Sequence, residues 1–321
     1  MAGGRASKRQ VWFALGLVYL IWGSTYLGIR LVVDEAPPLV SMGLRFVLAA
    51  AIMGLFLAVR GGVRQFRLTR GEALGVAFLG LLLLAVGNGM TALGQLQGVP
   101  SGVTALLIAI VPVWVAVYRT IAGDRPSALS TLGIVMGLVG LAILVLRNRG
   151  GGVLPLLGVV VILISSVSWS FGSWIQPRIW LPRNVFVSSA YQMLTAGTVL
   201  GLAGVLSGED LHANLGPQAW GALAYLVVVG SVIGFTAYAW LLDHAPISLV
   251  ATHTYVNPVV AVFLGWLVRS EPVTSPVLIG GGVVVASVIL IVSGERHGAR
   301  QSLAVSRVRE RVPTAPPPIG G

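Results

Sequence analysis

From Val11 to Ser293 the chain is built of long apolar runs with almost no charge to interrupt them. Stretches such as Val76–Val86 and Val283–Val292 carry no charged residue at all. Charged residues make up 10% of the sequence and hydrophobic ones 56%, whereas an ordinary soluble domain carries about 25% charged residues. The charges are also displaced to the ends: Arg5, Lys8 and Arg9 at the start, then Glu295, Arg296, Arg300, Arg307, Arg309, Glu310 and Arg311. A soluble surface cannot be covered with what remains, so soluble, disordered and collagen-like classes are excluded. A transmembrane β-barrel would alternate in polarity over stretches of about ten residues, and these runs do not alternate. The pattern specifies an all-α membrane protein.

A membrane-crossing helix needs about 20 mainly apolar residues. Ten such spans fit, at 11–33, 38–58, 73–95, 99–118, 128–146, 154–175, 185–206, 218–241, 246–268 and 273–293. Basic residues on connecting segments are held on the cytoplasmic side. With both termini inside, 16 of the 21 Lys and Arg face the cytoplasm, among them Arg60, Arg64, Arg67, Arg70, Arg119, Arg125, Arg178 and Arg183. Arg147, Arg149 and Arg269 are left outside, and Arg30 and Arg45 lie within spans. The net charge of +11 is explained by this retention, and no basic, aromatic-interleaved surface suggests nucleic acid as a partner. The N-terminus does not read as a cleavable leader, because its apolar stretch is too long and is interrupted by Trp12, Tyr19, Trp22 and Arg30. The absence of cysteine removes disulfides, thiol chemistry and Cys-based zinc sites.

The two halves resemble each other. At an offset of 146 residues, Val99-Pro100-Ser101-Gly102-Val103-Thr104-Ala105 aligns with Ala245-Pro246-Ile247-Ser248-Leu249-Val250-Ala251, Pro112 with Pro258, and Pro126 with Pro272. At 147, Trp22 aligns with Trp169 and Gly133 with Gly280. Five spans is an odd number, so the second copy must enter the membrane from the opposite side. That is an inverted-topology repeat. Loop charges agree: the loop with Arg60, Arg64, Arg67 and Arg70 corresponds to one with Glu209, Asp210 and His212, and the loop with Asp34 and Glu35 to one with Arg178 and Arg183. The expected organisation is a cytoplasmic tail (1–10), a first five-helix repeat (11–146), a second (154–293) and a disordered basic tail (294–321).

These residues resemble the EamA-type, ten-helix members of the drug/metabolite transporter superfamily. Trp22-Gly23-Ser24-Thr25-Tyr26-Leu27-Gly28-Ile29-Arg30 resembles the family's first-helix motif, and Pro37-Pro38 followed by Arg45 its second-helix start. Gly87-Asn88-Gly89, Val99 to Leu107 and Pro112 resemble helices three and four, while Gln192-Met193-Leu194 and Asn257-Pro258 resemble second-half motifs. Gly123-Asp124-Arg125-Pro126-Ser127 departs from the family's usual Gly-Glu-Arg-Pro-Ser, and Leu96 stands where related exporters often carry an acid. The resemblance implies a bacterial inner-membrane permease, usually an exporter of small metabolites such as amino acids, and does not name the substrate. An importer or facilitator stays open.

Polar side chains inside spans are the candidates for function. Arg45 must face protein or a wet cavity, or snorkel to the headgroups. Trp22, Tyr26 and Arg30 share one face of the first helix, and Trp169, Ser173 and Gln176 share one face of the sixth. Asn88, Gln192, His253 and Asn257 are the remaining polar candidates, with helix–helix hydrogen bonding as the simpler role. His253 is the titratable candidate for proton coupling. Substrate-lining candidates are thus Arg45, Trp22, Tyr26, Trp169, Asn88, Gln192, His253 and Asn257. Pro112 and Pro258 should bend their helices beside the site. Trp12, Trp180 and Trp266, near span ends, fit the interfacial belt. Gly133-x3-Gly137 and Gly197-x3-Gly201 should permit close packing within the chain.

Enzyme signatures are missing: no His-Glu-x-x-His run, Walker A loop or Gly-x-Ser-x-Gly elbow occurs, and no acid lies deep in a span. A receptor would carry a folded output module, which the short Arg- and Pro-rich tail does not supply. No cofactor is expected. The partners are membrane lipid, a small solute, and a proton or exchanged solute to drive it.

Overall fold

The computed structural model describes residues 7–123, 127–146, 154–210, 215–245, 247–250 and 253–311. Among them every regular element is helical. Lipid offers no hydrogen-bond partners, so each crossing segment must satisfy its own backbone, and helices do this. The main helices are α1 (Lys8–Val33), α2 (Pro38–Gly61), α3 (Arg70–Leu96), α4 (Ser101–Ile121), α5 (Ala128–Leu146), α6 (Leu156–Ile175), α7 (Val185–Leu206), α8 (217–244), α9 (His253–Arg269) and α10 (Ser275–Arg311). Eight of these are long and apolar enough to cross a membrane, and the ninth and tenth contribute shorter apolar stretches, Val256–Arg269 and Ser275–Ile291.

Local sequence sets the helix starts. Ser7 caps α1, accepting from Gln10 N at 3.2 Å while Gln10 Oε1 accepts from Ser7 N at 2.9 Å. Thr69 and Glu72 form the same reciprocal box at α3. Such a box satisfies two of the orphan N–H groups of a first turn.

Three helices depart from the expected spans. The fourth span splits into Ser101–Ile108 and Val111–Ile121. Pro112 offers no N–H to the Ile108 carbonyl, and its ring crowds that carbonyl, so the helix breaks at Ala109-Ile110. Pro258, at the equivalent place, remains inside α9. The ninth span, expected over 246–268, is a single turn at Ile247–Val250 and then α9 from His253. The segment after Ser293, expected to be disordered, continues α10 as a helix to Arg311; no proline interrupts it before Pro313. Arg5, Asp124-Arg125-Pro126, Arg147, Arg149, His212, Pro246, Ala251 and the end from 312 lie outside the described residues.

Two further features were not anticipated. Gly80–Val86 in α3 and Leu226–Ile233 in α8 are π-helical, at corresponding places in the two halves. Such wide turns carry one extra residue and recur near functional sites.

Glycine-mediated crossings hold the bundle. Where α2 meets α7, a Cβ placed on Gly43 would lie 2.6 Å from Gly201 N, and one on Gly197 2.9 Å from the Gly43 carbonyl oxygen. Where α5 meets α10, Cβ atoms on Gly140 and Gly280 would each lie 3.0 Å from the other's carbonyl oxygen. Gly133 packs against Ile291 and the Ser287 carbonyl, and Gly137 against Val113 and the Ser287 side chain. Small residues let helix backbones approach within membranes, where dispersion rather than apolar burial drives association.

Candidate binding cavity

One cavity occupies the middle of the bundle, with an empty volume of about 820 Å³ that includes its open mouth. Seven of the eight candidate residues line it: Trp22 and Tyr26 from α1, Arg45 from α2, Asn88 from α3, Trp169 from α6, and His253 and Asn257 from α9. Pro258 joins them, while Pro112 stands just behind Val111 at the α4 break. Gln192 does not reach the cavity; it is buried on α7 and donates from Nε2 to Ser188 Oγ at 3.0 Å, one turn back.

The two tryptophans are placed reciprocally. Trp22, from the first half, lies against Gly234 of the second, where an added Cβ would be 2.9 Å from Nε1. Trp169, from the second half, lies against Gly87 of the first, with a Cβ 3.1 Å from Cε3. Each glycine follows its π segment directly, and the two rings meet edge to face at 6.3 Å. Trp22 also contacts Phe235 (5.9 Å), Tyr238 (4.7 Å) and the His253 ring (5.0 Å).

The π segment of α3 turns its carbonyls towards α6. Ser168 Oγ donates to the Leu82 carbonyl at 2.8 Å, and Ser165 Oγ to the Gly87 carbonyl at 2.5 Å. Thr91 Oγ1 meets the same Gly87 carbonyl at 2.7 Å and Ser165 Oγ at 2.9 Å. The π segment of α8 instead presents Ser231, whose Oγ accepts from Arg45 Nε at 3.0 Å. Arg45 is only 3% exposed. Its Nη1 meets the weak acceptor Met42 Sδ at 3.8 Å, and its guanidinium carbon stands 4.8 Å from the centre of the Phe46 ring.

Asn257 braces α9 against α1. Its carboxamide nitrogen donates to the carbonyls of Tyr19 (3.3 Å) and His253 (3.0 Å), and its oxygen accepts from His253 Nδ1 at 3.3 Å. Among the cavity residues not singled out from sequence, Thr91 and Ser165 stand one turn from Asn88 and Trp169 on the same faces, a signal that was available. Phe235, Ile108 and Ala109 are apolar residues among apolar residues and gave none. Ser173 is exposed and bonded to the Trp169 carbonyl. No group of acids and histidines able to hold a metal occurs among the described residues.

Comparison with known proteins now places this architecture. The model of the EamA-like transporter family matches twice, over residues 10–146 and 156–293. The chain belongs to the EamA-like transporter family. It is 39% identical over 284 residues to the uncharacterized inner membrane transporter YedA of Escherichia coli strain K12, covering 88% of this chain and 90% of the relative. It is 24% identical to the uncharacterized transporter YoaV of Bacillus subtilis strain 168, covering 85% and 93%. It is 23% identical to a protein of Escherichia coli strain K12 named "Probable amino-acid metabolite efflux pump", covering 87% and 94%. A solved crystal structure superposes with a TM-score of 0.64 at 19% identity, over 90% of this chain and 99% of that one, which speaks to the fold alone. This is a multi-pass membrane transporter and not an enzyme.

In this EamA-like transporter, acids from one half hold helix starts or basic groups of the other. Glu209 accepts from Leu39 N (3.0 Å) and Val40 N (2.8 Å) at the start of α2. Glu271 accepts from Ser101 N (2.9 Å) and Gly102 N (3.1 Å) at the start of α4. Glu35 accepts from Gly216 N, just ahead of α8, at 2.7 Å. Helix N-termini attract carboxylates because their N–H groups are unpaired and the helix dipole is positive there. Asp34 meets Arg269 at 2.5 Å and Arg30 at 3.1 Å, and Arg30 also donates to the Gln95 carbonyl. Arg30 therefore serves this acidic end of the bundle and does not line the cavity. Gln95, missed in the sequence, ties α3 to α1 through Nε2 and the Tyr26 carbonyl at 3.0 Å.

Proposed function

We propose that the protein is an inner-membrane secondary transporter of ten crossing segments in two inverted repeats, exporting small metabolites, such as amino acids, similar polar solutes or drugs, by alternating access. The observation that carries this reading is the mid-bundle cavity, walled by both halves and containing a buried arginine. The reciprocal Trp22–Gly234 and Trp169–Gly87 contacts support the inversion, because a two-fold relation between opposite-facing copies generates such pairs. The basic connections favour cytoplasmic termini, so the acidic end, with Asp34, Glu35, Glu209 and Glu271, faces outside. Release to the outside then requires those cross-half contacts to part. Without a nucleotide-binding unit, transport runs on a gradient or on exchange, with His253 as the candidate proton carrier.

The test is a metabolite and toxicity screen of a strain lacking the protein and one overproducing it, followed by flux of any hit in proteoliposomes with and without a pH gradient. Gradient-dependent movement of a hit is expected. If no solute moves under any gradient, the reading fails.

A further inference from the structure

We infer that the cavity takes small organic carboxylates with an apolar or aromatic body, and favours net anions over zwitterions and cations of the same skeleton. The inference rests on the transporter reading of this cavity and names its substrate class.

Arg45 is the starting point. It is almost wholly buried, it lines the cavity, and none of its recorded contacts is with a carboxylate. Ser231 satisfies Nε, Nη1 has a thioether, and Nη2 makes no recorded hydrogen bond among the described residues. Gly230 packs beside that face: a Cβ there would lie 3.5 Å from Nη2 and 3.1 Å from Thr25 Cγ2, so a larger residue would crowd the guanidinium. The acids Asp34, Glu35, Glu72, Glu209 and Glu271 are all engaged at the ends of the bundle. A charge in a membrane interior calls for a partner or water, and an unpaired buried charge is costly. The guanidinium offers a planar fork of donors that matches a carboxylate. A bound monoanion neutralises the site, a zwitterion leaves it positive, and a cation doubles the charge.

The body of the ligand follows from the aromatic side chains that share the lining with Arg45. Trp22 stands edge to face with Trp169 at 6.3 Å and with Phe235 at 5.9 Å, and all three line the cavity with apolar aromatic surface. Aromatic walls alone would also suit a quaternary or primary ammonium, so the presence of Arg45 decides the sign of the charge.

Three probes with one skeleton test this: 3-phenylpropanoate, phenylalanine and phenethylamine, tritiated, in equilibrium binding to the purified full chain at neutral pH. We expect 3-phenylpropanoate to bind at least about tenfold more tightly than phenylalanine, with phenethylamine weakest, and Arg45→Gln to flatten the ranking. The ranking is read on the unaltered protein, so a variant that fails to fold does not remove the test. Equal or tighter binding of phenethylamine, a flat ranking, no binding of any probe, or a ranking that survives in a folded Arg45→Gln protein overturns the inference. The screen above uses the cell's own solutes: flux there beside a flat ranking sinks the anion preference alone, and absence of all flux sinks the transporter reading.

Discussion

Arg45 and Gln192 stand 147 residues apart, at matching places on the second helix of each half. Arg45 reaches into the cavity and is held by Ser231 of the opposite half, whereas Gln192 folds back on Ser188 of its own helix. Their backbones are nonetheless treated alike, because α2 and α7 cross through the glycine contacts that Gly43 and Gly197 share. The tryptophans and the glycines after the π segments are also paired one for one. The two halves share what shapes the bundle, and differ at the proposed solute site. A duplicated scaffold needs that division. On the proposed alternating-access reading, matching turns in the two halves keep two packings close in energy, while the proposed ligand occupies one site and calls for one charge.

Arg45→Ala should break the comparison most severely. Losing a buried charge that holds its ligand costs about 2–5 kcal/mol, so proteoliposome flux should fall at least about thirtyfold while membrane insertion, followed by fractionation, is unchanged. Wild-type flux would remove Arg45 from the site. Next, Gly43→Leu should destabilise the α2–α7 crossing by about 1–3 kcal/mol through overpacking, read as a lower melting temperature in detergent. Gly87→Ala and Gly234→Ala should have similar, smaller effects, about 1 kcal/mol on stability or less with reduced flux in both. A large effect in only one would deny the equivalence of the two tryptophan seats. Gln192→Ala should cost about 1 kcal/mol of stability and leave flux near wild type. Asp34→Asn should act least. Its bridge to Arg269 is partly exposed, and such pairs contribute about 0.2–1 kcal/mol. The readout is thiol labelling of an Ile29→Cys variant from outside, expected to rise about twofold in a chain that has no other cysteine.

Part of the cavity wall is legible in the sequence because polarity inside an apolar helix is expensive and therefore meaningful. Arg45, Asn88, His253 and Asn257 stood out for that reason, and Trp22 and Trp169 through the repeat. The same rule misplaced Gln192, since a carboxamide can be satisfied one turn back on its own helix. Thr91 and Ser165 were missed because hydroxyls bond local carbonyls cheaply and carry little positional signal. Arg30 shared a face with Trp22 and Tyr26 but lies near the helix end, where Asp34 and the Gln95 carbonyl engage it. The break in α4 followed from Pro112, whereas that proline's counterpart in α9 stayed within its helix. No residue type announces a π turn, so neither π segment was legible.

Those π turns give helix length an unusual meaning. A π turn holds one more residue than the α turn it replaces, and each residue of an α-helix advances the face by about 100°. Rewinding Gly80–Val86 as ordinary α-helix at the same length would therefore swing Asn88 and Thr91 away from the cavity by about that angle, whereas an in-frame deletion of one codon there would let α3 run on as α-helix with both side chains still facing the cavity. In this segment the count of residues, as much as their identity, writes the site.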